Sequence, residues 1–152
     1  MAEEHNERLK WSKASFRILG DTLEPDEVSG ILGLQPTRSG RRGERMSPSS
    51  SKTLLRKSVW ILQTPLSDQA PLQDHLEWLL DTLEPKRDAI GEFTKQYETD
   101  FFCGFSSENG QGGCTFESSL LARLANLGVP LVLDLYPPGP IGVEDIGTNL
   151  KA

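Results

Sequence analysis

Asp134 and Tyr136 are two residues near the end of the chain whose types and spacing suit acid–base chemistry or ligand contact. They alternate with leucines in the segment Leu-Val-Leu-Asp-Leu-Tyr, residues 131–136. Side chains two positions apart point to the same face of a β-strand, so the carboxyl and phenol groups are expected to lie side by side. A carboxylate in such a place can serve as a general base or a ligand contact. We favour a structural role for Asp134 at a sheet edge, because the sequence shows no partner groups that would complete a catalytic site.

The second candidate site is a basic segment, residues 37–57, in which seven arginines and lysines accompany a single acid, Glu44. Arginine offers forked N–H donors that match phosphate and carboxylate oxygens, and glycine lets backbone amides approach an anion. The candidate anion ligands are four arginines of this segment: Arg38, Arg41, Arg42 and Arg45. Gly-Arg-Arg-Gly at residues 40–43 does not match a phosphate-binding loop, which needs a Lys-Ser/Thr pair at fixed spacing. We favour the alternative, a long mobile loop that offsets an acidic body.

The cysteines and histidines lack the spacing of a metal site. The chain has two cysteines and two histidines, scattered between residues 5 and 114. Cys103 alternates with phenylalanines, which is typical of a small buried residue in a strand. It would approach Cys114 if the Asn-Gly pair at residues 109–110 formed a hairpin, although a reducing compartment favours free thiols. Neither cysteine has a paired base and no nucleotide-binding fingerprint is present, so we predict no metal, no cofactor and no catalytic residue.

Residues 118–136 form the strongest pattern in the chain and predict the helix and strand that would hold Asp134 and Tyr136. Apolar residues recur at helical spacing before Gly128 and Pro130, which end the helix. These apolar residues are Leu120, Leu121, Leu124 and Leu127. From residue 131 the period changes to two, so the leucines of the strand should face the core. Asp134 and Tyr136 should therefore lie on the opposite face.

Two strand–helix–strand units, residues 16–62 and 101–136, are separated by a pair of helical patterns. The first unit contains a strand at residues 14–20, a helix that begins at Pro25 and a strand at residues 58–64. Two such units on one sheet are typical of split βαβ folds with helices on one face. We therefore predict a ferredoxin-like α+β fold, mainly antiparallel, with a helical hairpin inserted between the halves.

Length and charge bound the class of protein. At 152 residues one domain is expected, and we place it at residues 14–137, with flexible termini at residues 1–13 and 138–152. The net charge of −6 argues against nucleic acid as the partner. The first ten residues are charged and lack the apolar stretch of a secretory signal, and no apolar run is long enough to span a membrane. We therefore predict a soluble cytoplasmic protein that does not enter membranes.

Four motifs follow one another in a fixed order between residues 15 and 136. They are Phe-Arg-Ile-Leu-Gly at 16–20, Leu-Gly-Leu-Gln-Pro at 32–36 after the Pro25 helix, Trp60 in the second strand, and Leu-Gly at 127–128 with Asp-Leu-Tyr at 134–136. Their order and spacing resemble a bacterial family known only as a domain of unknown function. The resemblance implies no activity and no catalytic residue. The arginine-rich segment is not a feature that we associate with this family.

Two functional hypotheses follow from these patterns. The leading one is a non-enzymatic binding or protein-interaction domain, whose partner is another protein or a second copy of the chain. That partner would meet the open sheet face, the arginine-rich segment or an exposed side of Trp78. The alternative is a small enzyme or small-molecule binder for an anionic ligand, which would use Asp134 and Tyr136 together with the arginines of residues 38–45.

Overall fold

A five-stranded mixed sheet forms the centre of the protein. The computed structural model describes residues 9–45, 53–107 and 113–136. The strands are β1 (Leu9–Gly20), β2 (Arg38–Gly40), β3 (Ser58–Gln63), β4 (Glu98–Ser107) and β5 (Leu131–Tyr136). Their order across the sheet is β2-β3-β1-β4-β5, which makes β2 and β5 the two edges. β5 runs parallel to β4, and the other three pairings are antiparallel.

Four helices pack on one side of this sheet, which we call the covered face. They are α1 (Pro25–Leu32), α2 (Leu72–Leu83), α3 (Arg87–Gln96) and α4 (Ser118–Leu127), and a 3-10 turn (Glu84–Lys86) joins α2 to α3. Glycines end α1 and α4, as the sequence predicts. Gly33 has a φ of 66° and Gly128 a φ of 78°, a left-handed conformation that only glycine adopts without strain.

The main core lies between the covered face and the helices. Alternation along β1 sends Phe16 and Ile18 to this side, where Phe16 meets Trp60 and Phe101 at ring-centroid distances of 6.3 and 5.7 Å. The Trp60 indole N–H donates a hydrogen bond of 3.0 Å to the Ser29 hydroxyl of α1, so this buried polar group is satisfied. Fully burying an apolar side chain of this size stabilises a fold by about 1.5–3 kcal/mol. The covered face is therefore the main source of stability.

The predicted α+β class is confirmed, but the split βαβ arrangement is present only in part. In a split unit, another strand lies between the two strands that a helix connects. Here β4 and β5 are direct parallel neighbours joined through α4, and β1 and β3 are direct antiparallel neighbours. Three of the four pairings are antiparallel and one is parallel, so the predicted, mainly antiparallel sheet is present in part. Helical and strand periods specify the elements, whereas strand order depends on contacts between distant segments, which periodicity does not encode.

Two segments differ from the sequence interpretation in their local structure. β1 begins at Leu9, five residues before the predicted strand at residues 14–20, and Trp11 is buried. Residues 9–13 are therefore part of the sheet. The sequence predicts a loop for the basic segment, but its described part extends the β2–β3 pair as a ribbon. Gly43 N–H donates to the Leu55 carbonyl at 2.9 Å, and Leu55 N–H donates to the Glu44 carbonyl at 2.8 Å. Residues 1–8, 46–52, 108–112 (which include the predicted Asn-Gly hairpin) and 137–152 lie outside the described residues.

Candidate functional site

The side of the sheet opposite the helices, which we call the open face, carries two small apolar clusters. The first comprises Trp11, Phe102 and Tyr136, and the second comprises Leu19, Leu55, Val59 and Ile61. Among the described residues, no helix contributes a side chain to either cluster. Arg17 lies between them, opposite Ile61 on β3 and with its guanidinium 4.1 Å from the centre of the Phe102 ring. This arrangement places a cation over an aromatic face.

Arg17 and Asp100 form a buried, bidentate ion pair on the open face. The two residues are cross-strand neighbours on β1 and β4. Arg17 Nε donates to Asp100 Oδ1 at 2.8 Å, and Nη2 donates to Oδ2 at 2.7 Å. The side chains are only 8% and 14% exposed. Such a pair fixes the geometry of both groups, and either charge would be strongly destabilising without the other.

One nitrogen of the Arg17 guanidinium remains without a partner. Nη1 is buried and makes no hydrogen bond within the described part of the chain. Because Nε and Nη2 both face Asp100, the planar guanidinium holds Nη1 on the side away from that carboxylate.

Arg38 is the predicted site residue that the structure places on the open face near Arg17. It stands in one cross-strand row with Ile61, Arg17 and Asp100. The residue is exposed as a whole, yet desolvation of its guanidinium and then the neighbouring Arg17 charge lower the pKa of Arg38. No acid of the described residues forms an ion pair with it. Two guanidiniums therefore share this row with one carboxylate.

The other three candidate arginines do not join Arg38 in a shared clamp. Arg41 is exposed and pairs with two acids near the start of α1, Glu24 at 3.1 Å and Asp26 at 3.5 Å. Arg42 uses its backbone N–H to bond the Ser58 hydroxyl at 3.0 Å. Arg45 forms an isolated β-bridge with Leu54 in the ribbon and is exposed.

Asp134 and Tyr136 lie on the open face of β5, as their alternation predicts. Asp134 is aligned with Gly104 and Tyr136 with Ser106 of β4. The Tyr136 ring lies 5.0 Å from the Trp11 ring, and both Asp134 and Tyr136 are half-buried. Tyr136 therefore closes one end of the first apolar cluster, which is a structural role for its ring.

The structure does not bring Asp134 and Tyr136 together with Arg38. Arg38 is on edge strand β2 and Asp134 on edge strand β5, with three strands between them. Four strand spacings of about 4.8 Å separate the two edges by about 19 Å. The six candidate residues of the sequence analysis thus occupy two distant regions.

The β5 edge exposes apolar side chains that the sequence pattern assigned to the core. Leu131 packs against the main core, but Leu133 and Leu135 are 47% and 71% exposed. Leu121 of α4 is also exposed, as is Val132 on the opposite face of β5. The prediction that all three leucines of the strand face a packed core is therefore wrong beyond Leu131. A period of two distinguishes the faces of a strand, but it does not show whether the strand lies at an edge.

The backbone of β5 also presents an open edge, since among the described strands it pairs with β4 alone. Phe101 N–H donates to the Pro130 carbonyl at 2.8 Å. This bond determines which residues of β5 direct their backbone N–H and C=O groups toward β4. With Phe101 opposite Leu131, the ladder directs the N–H groups of even-numbered β5 residues toward β4. The N–H groups of Leu133 and Leu135 consequently point to the open edge.

Trp78 is not the exposed anchor that the sequence analysis expected. It is half-buried and packs against the main core. His75 on the same helix is fully buried, and its Nδ1 shares a hydrogen bond with the Thr64 hydroxyl. Burial, followed by the Lys13 charge, lowers the pKa of His75. The imidazole is thus held neutral inside the core.

The described residues offer little for metal or nucleophilic chemistry. No group of three or more histidines, cysteines or acids is placed to hold a metal ion in residues 9–45, 53–107 and 113–136. Both cysteines are free, and burial raises the pKa of the Cys103 thiol, which keeps it protonated. No helix in these ranges combines the length and the apolar character needed to cross a membrane.

Comparison with known protein families assigns the chain to one family. Residues 9–138 match the model of a family described as a domain of unknown function, DUF4279. The chain belongs to this family, and the matched range starts with β1 and ends two residues after β5, so it includes the whole sheet. No curated protein and no solved structure matches the chain.

Sequence reasoning missed the central group of the open face, Arg17 with Asp100. The signal was present in each strand separately, because Arg17 alternates with Phe16 and Ile18, and Asp100 precedes Phe101 in the same way. A charged residue inside an apolar strand calls for a partner. Which strand supplies that partner follows only from the register between β1 and β4.

Proposed function

We propose that this chain is a non-enzymatic protein-interaction domain whose partner polypeptide binds along β5 as an added strand. The observation that carries the proposal is the β5 edge itself. Within the described ranges no strand pairs with its outward N–H groups, and Leu133 and Leu135 stand exposed beside them. Exposed, apolar sheet edges serve as templates for strand addition.

The chemistry of the edge favours a particular kind of partner. Leu133 and Leu135 lie on the side of the sheet where exposed Leu121 of α4 also lies, so the partner needs apolar side chains at alternate positions. Backbone hydrogen bonds would supply affinity, and the apolar contacts would supply selectivity. Two copies of this chain would each bring a net charge of −6, which favours a different protein over self-association.

The separation of the candidate residues supports this proposal over the enzyme alternative. An enzyme or binder that combines Asp134 and Tyr136 with Arg38 needs groups on opposite edges of the sheet, about 19 Å apart by strand spacing. A small substrate does not span that distance while held by both groups. The two regions therefore act separately if both are used.

Affinity capture with matched variants tests the interaction. The baits are the tagged wild-type chain, Leu133→Lys/Leu135→Lys, and the control Ile31→Lys/Leu54→Lys. The control changes two residues that are 52% and 54% exposed away from β5 and adds the same charge. In cells that carry the gene naturally, we expect one protein to be retained by the wild type and the control but lost from the β5 variant.

Three results would contradict the proposal. They are equal recovery of the captured protein by both double variants, its loss from both, and the absence of any protein specific to the wild type. Light scattering on the purified chain adds a further arm. A dimer that dissociates in Leu133→Lys/Leu135→Lys would show that a second copy occupies the edge, against the different partner proposed.

A further inference from the structure

The basic segment folds into a ribbon on a chain that is otherwise strongly acidic. We call its described part, residues 37–45 and 53–57, the basic ribbon. Residues 37–57 contain seven of the 16 lysines and arginines and one of the 22 acids. The remaining residues therefore hold nine basic and 21 acidic side chains, a net charge of −12 against +6 for the segment. Such separation of charge concentrates the positive potential of the molecule on one surface.

The basic ribbon is anchored to the sheet by its own contacts. Leu55 is only 7% exposed and belongs to the second apolar cluster of the open face, with Val59 and Ile61. Its side chain packs directly against Gly40, where an added Cβ would lie 2.6 Å from Leu55 Cδ1. Two backbone hydrogen bonds, of 2.8 and 2.9 Å, join Leu55 to the opposite side of the ribbon. A partner would therefore meet the arginines on an ordered backbone, which lowers the entropic cost of binding.

The acids of the chain neutralise only part of the basic ribbon. Arg41 pairs with two acids near the start of α1, and Lys57 pairs with one acid of β4. Arg38, Arg42 and Arg45 are exposed and form no ion pair within the described ranges. Desolvation and then a neighbouring guanidinium lower the pKa of Arg38, and an anion beside it would offset both effects. Three exposed guanidiniums thus remain available to carboxylates from another molecule.

We infer that the basic ribbon docks an acidic segment of a partner polypeptide through Arg38, Arg42 and Arg45. The forked donors of arginine match carboxylate oxygens, and a run of acids can contact the three side chains one after another. Nucleic acid that continues past the ribbon would meet the repulsion of the acidic remainder, so a short acidic segment fits better. The ribbon extends the edge opposite β5, so this inference does not rest on the proposed strand addition.

Titration with labelled hexaglutamate, followed by fluorescence anisotropy, tests the surface. The peptide should bind saturably, and its affinity should fall as sodium chloride is added, because salt screens exposed charges. Duplex DNA longer than the ribbon is the comparison and should bind more weakly, since the acidic remainder repels it. Absence of saturable binding by hexaglutamate would overturn the inference. Tighter binding of the duplex would also overturn it, because it would assign the surface to nucleic acid.

Two matched charge removals localise the binding. Arg42→Gln/Arg45→Gln removes two exposed charges of the ribbon and should weaken hexaglutamate binding about fivefold or more. The control Arg87→Gln/Lys95→Gln removes two exposed charges of α3 and should leave the affinity nearly unchanged. All four side chains are exposed, so both variants should unfold at the temperature of the wild type. Equal weakening in both variants would overturn the inference, because it would reflect net charge alone.

A local probe on the wild type completes the test without any substitution. Backbone amide resonances of residues 38–45 should shift during the hexaglutamate titration, whereas those of β5 should not. Arg38→Gln gives a second, independent check and should weaken binding about threefold, as expected for one exposed ion pair. Shifts confined to surfaces other than the ribbon, or full affinity in Arg38→Gln together with Arg42→Gln/Arg45→Gln, would overturn the inference.

Discussion

The covered face and the open face share strands β1, β3 and β4 but use different interactions. On β1, Phe16 and Ile18 enter a core of apolar and aromatic side chains, whereas Arg17 between them enters an ion pair with Asp100. Apolar packing is tolerant of small changes because it is non-directional. A buried ion pair is directional, and each charge depends on the other. The comparison indicates that the covered face stabilises the fold by apolar packing, whereas the open face depends on a directional ion pair.

The largest expected effect comes from removing one half of the ion pair. Asp100→Ala leaves the Arg17 charge buried without compensation and should lower the free energy of unfolding by about 3–5 kcal/mol. Urea denaturation followed by tryptophan fluorescence measures this change. A loss below about 1 kcal/mol would show that the pair behaves as a solvent-exposed salt bridge.

Two further variants distinguish the contribution of charge pairing on the open face from that of apolar packing on the covered face. Arg17→Met/Asp100→Leu should recover most of the loss, because the replacement leaves no unpaired charge. On the covered face, Leu80→Ala should lower stability by about 2–5 kcal/mol through lost packing and a cavity. If the double variant is as unstable as Asp100→Ala, the open face depends on specific packing of Arg17 rather than on charge pairing.

An intermediate effect is expected at the turn that connects the covered face to the β5 edge. Gly128 has a φ of 78° with free space around it, so Gly128→Ala meets no steric contact but strains the backbone. The expected loss is about 1–2 kcal/mol. Gly91→Ala is the matched control, because Gly91 lies within α3 and also has free space, and alanine there should stabilise the helix by about 0.5–1 kcal/mol. Equal effects in thermal unfolding would contradict the assigned backbone conformations.

The smallest effect is a pH dependence from His75 on the covered face. Its pKa in the folded chain is lowered below the ordinary value of 6.5 by burial, so the unfolded chain takes up a proton at a higher pH than the folded chain does. Stability should be fully present above pH 6.5 and should decline as the pH falls through the lowered pKa. His75→Gln should flatten this decline below pH 6.5 in denaturant titrations. An unchanged decline in the variant would assign it to other groups.

The elements of the fold were predictable from sequence, whereas their arrangement was not. Helix α1 begins at Pro25 and is capped by Gly33, and α4 is capped by Gly128, because local backbone preferences determine these positions. Strand order is set by long-range pairing, so the adjacent parallel β4 and β5 were not foreseen. The same limitation hid the Arg17–Asp100 pair, whose members are 83 positions apart.

The candidate site was predictable to a similar extent. Alternation placed Asp134 and Tyr136 on one face of β5, as observed. It could not show that Arg38 lies on the opposite edge, nor that Leu133 and Leu135 remain exposed. Exposure depends on whether a neighbouring strand or helix is present, and local periodicity carries no information about neighbours.

Residue-resolved hydrogen exchange of the β5 amides, with and without the captured partner, tests the central claim most directly. The ladder with β4 already protects the even-numbered amides of the strand, including those of Val132 and Asp134. Binding of an added strand should slow exchange at Leu133 and Leu135 by tenfold or more, as expected for an edge hydrogen bond that replaces solvent. Unchanged exchange at Leu133 and Leu135 in a complex that protects another surface would contradict the account.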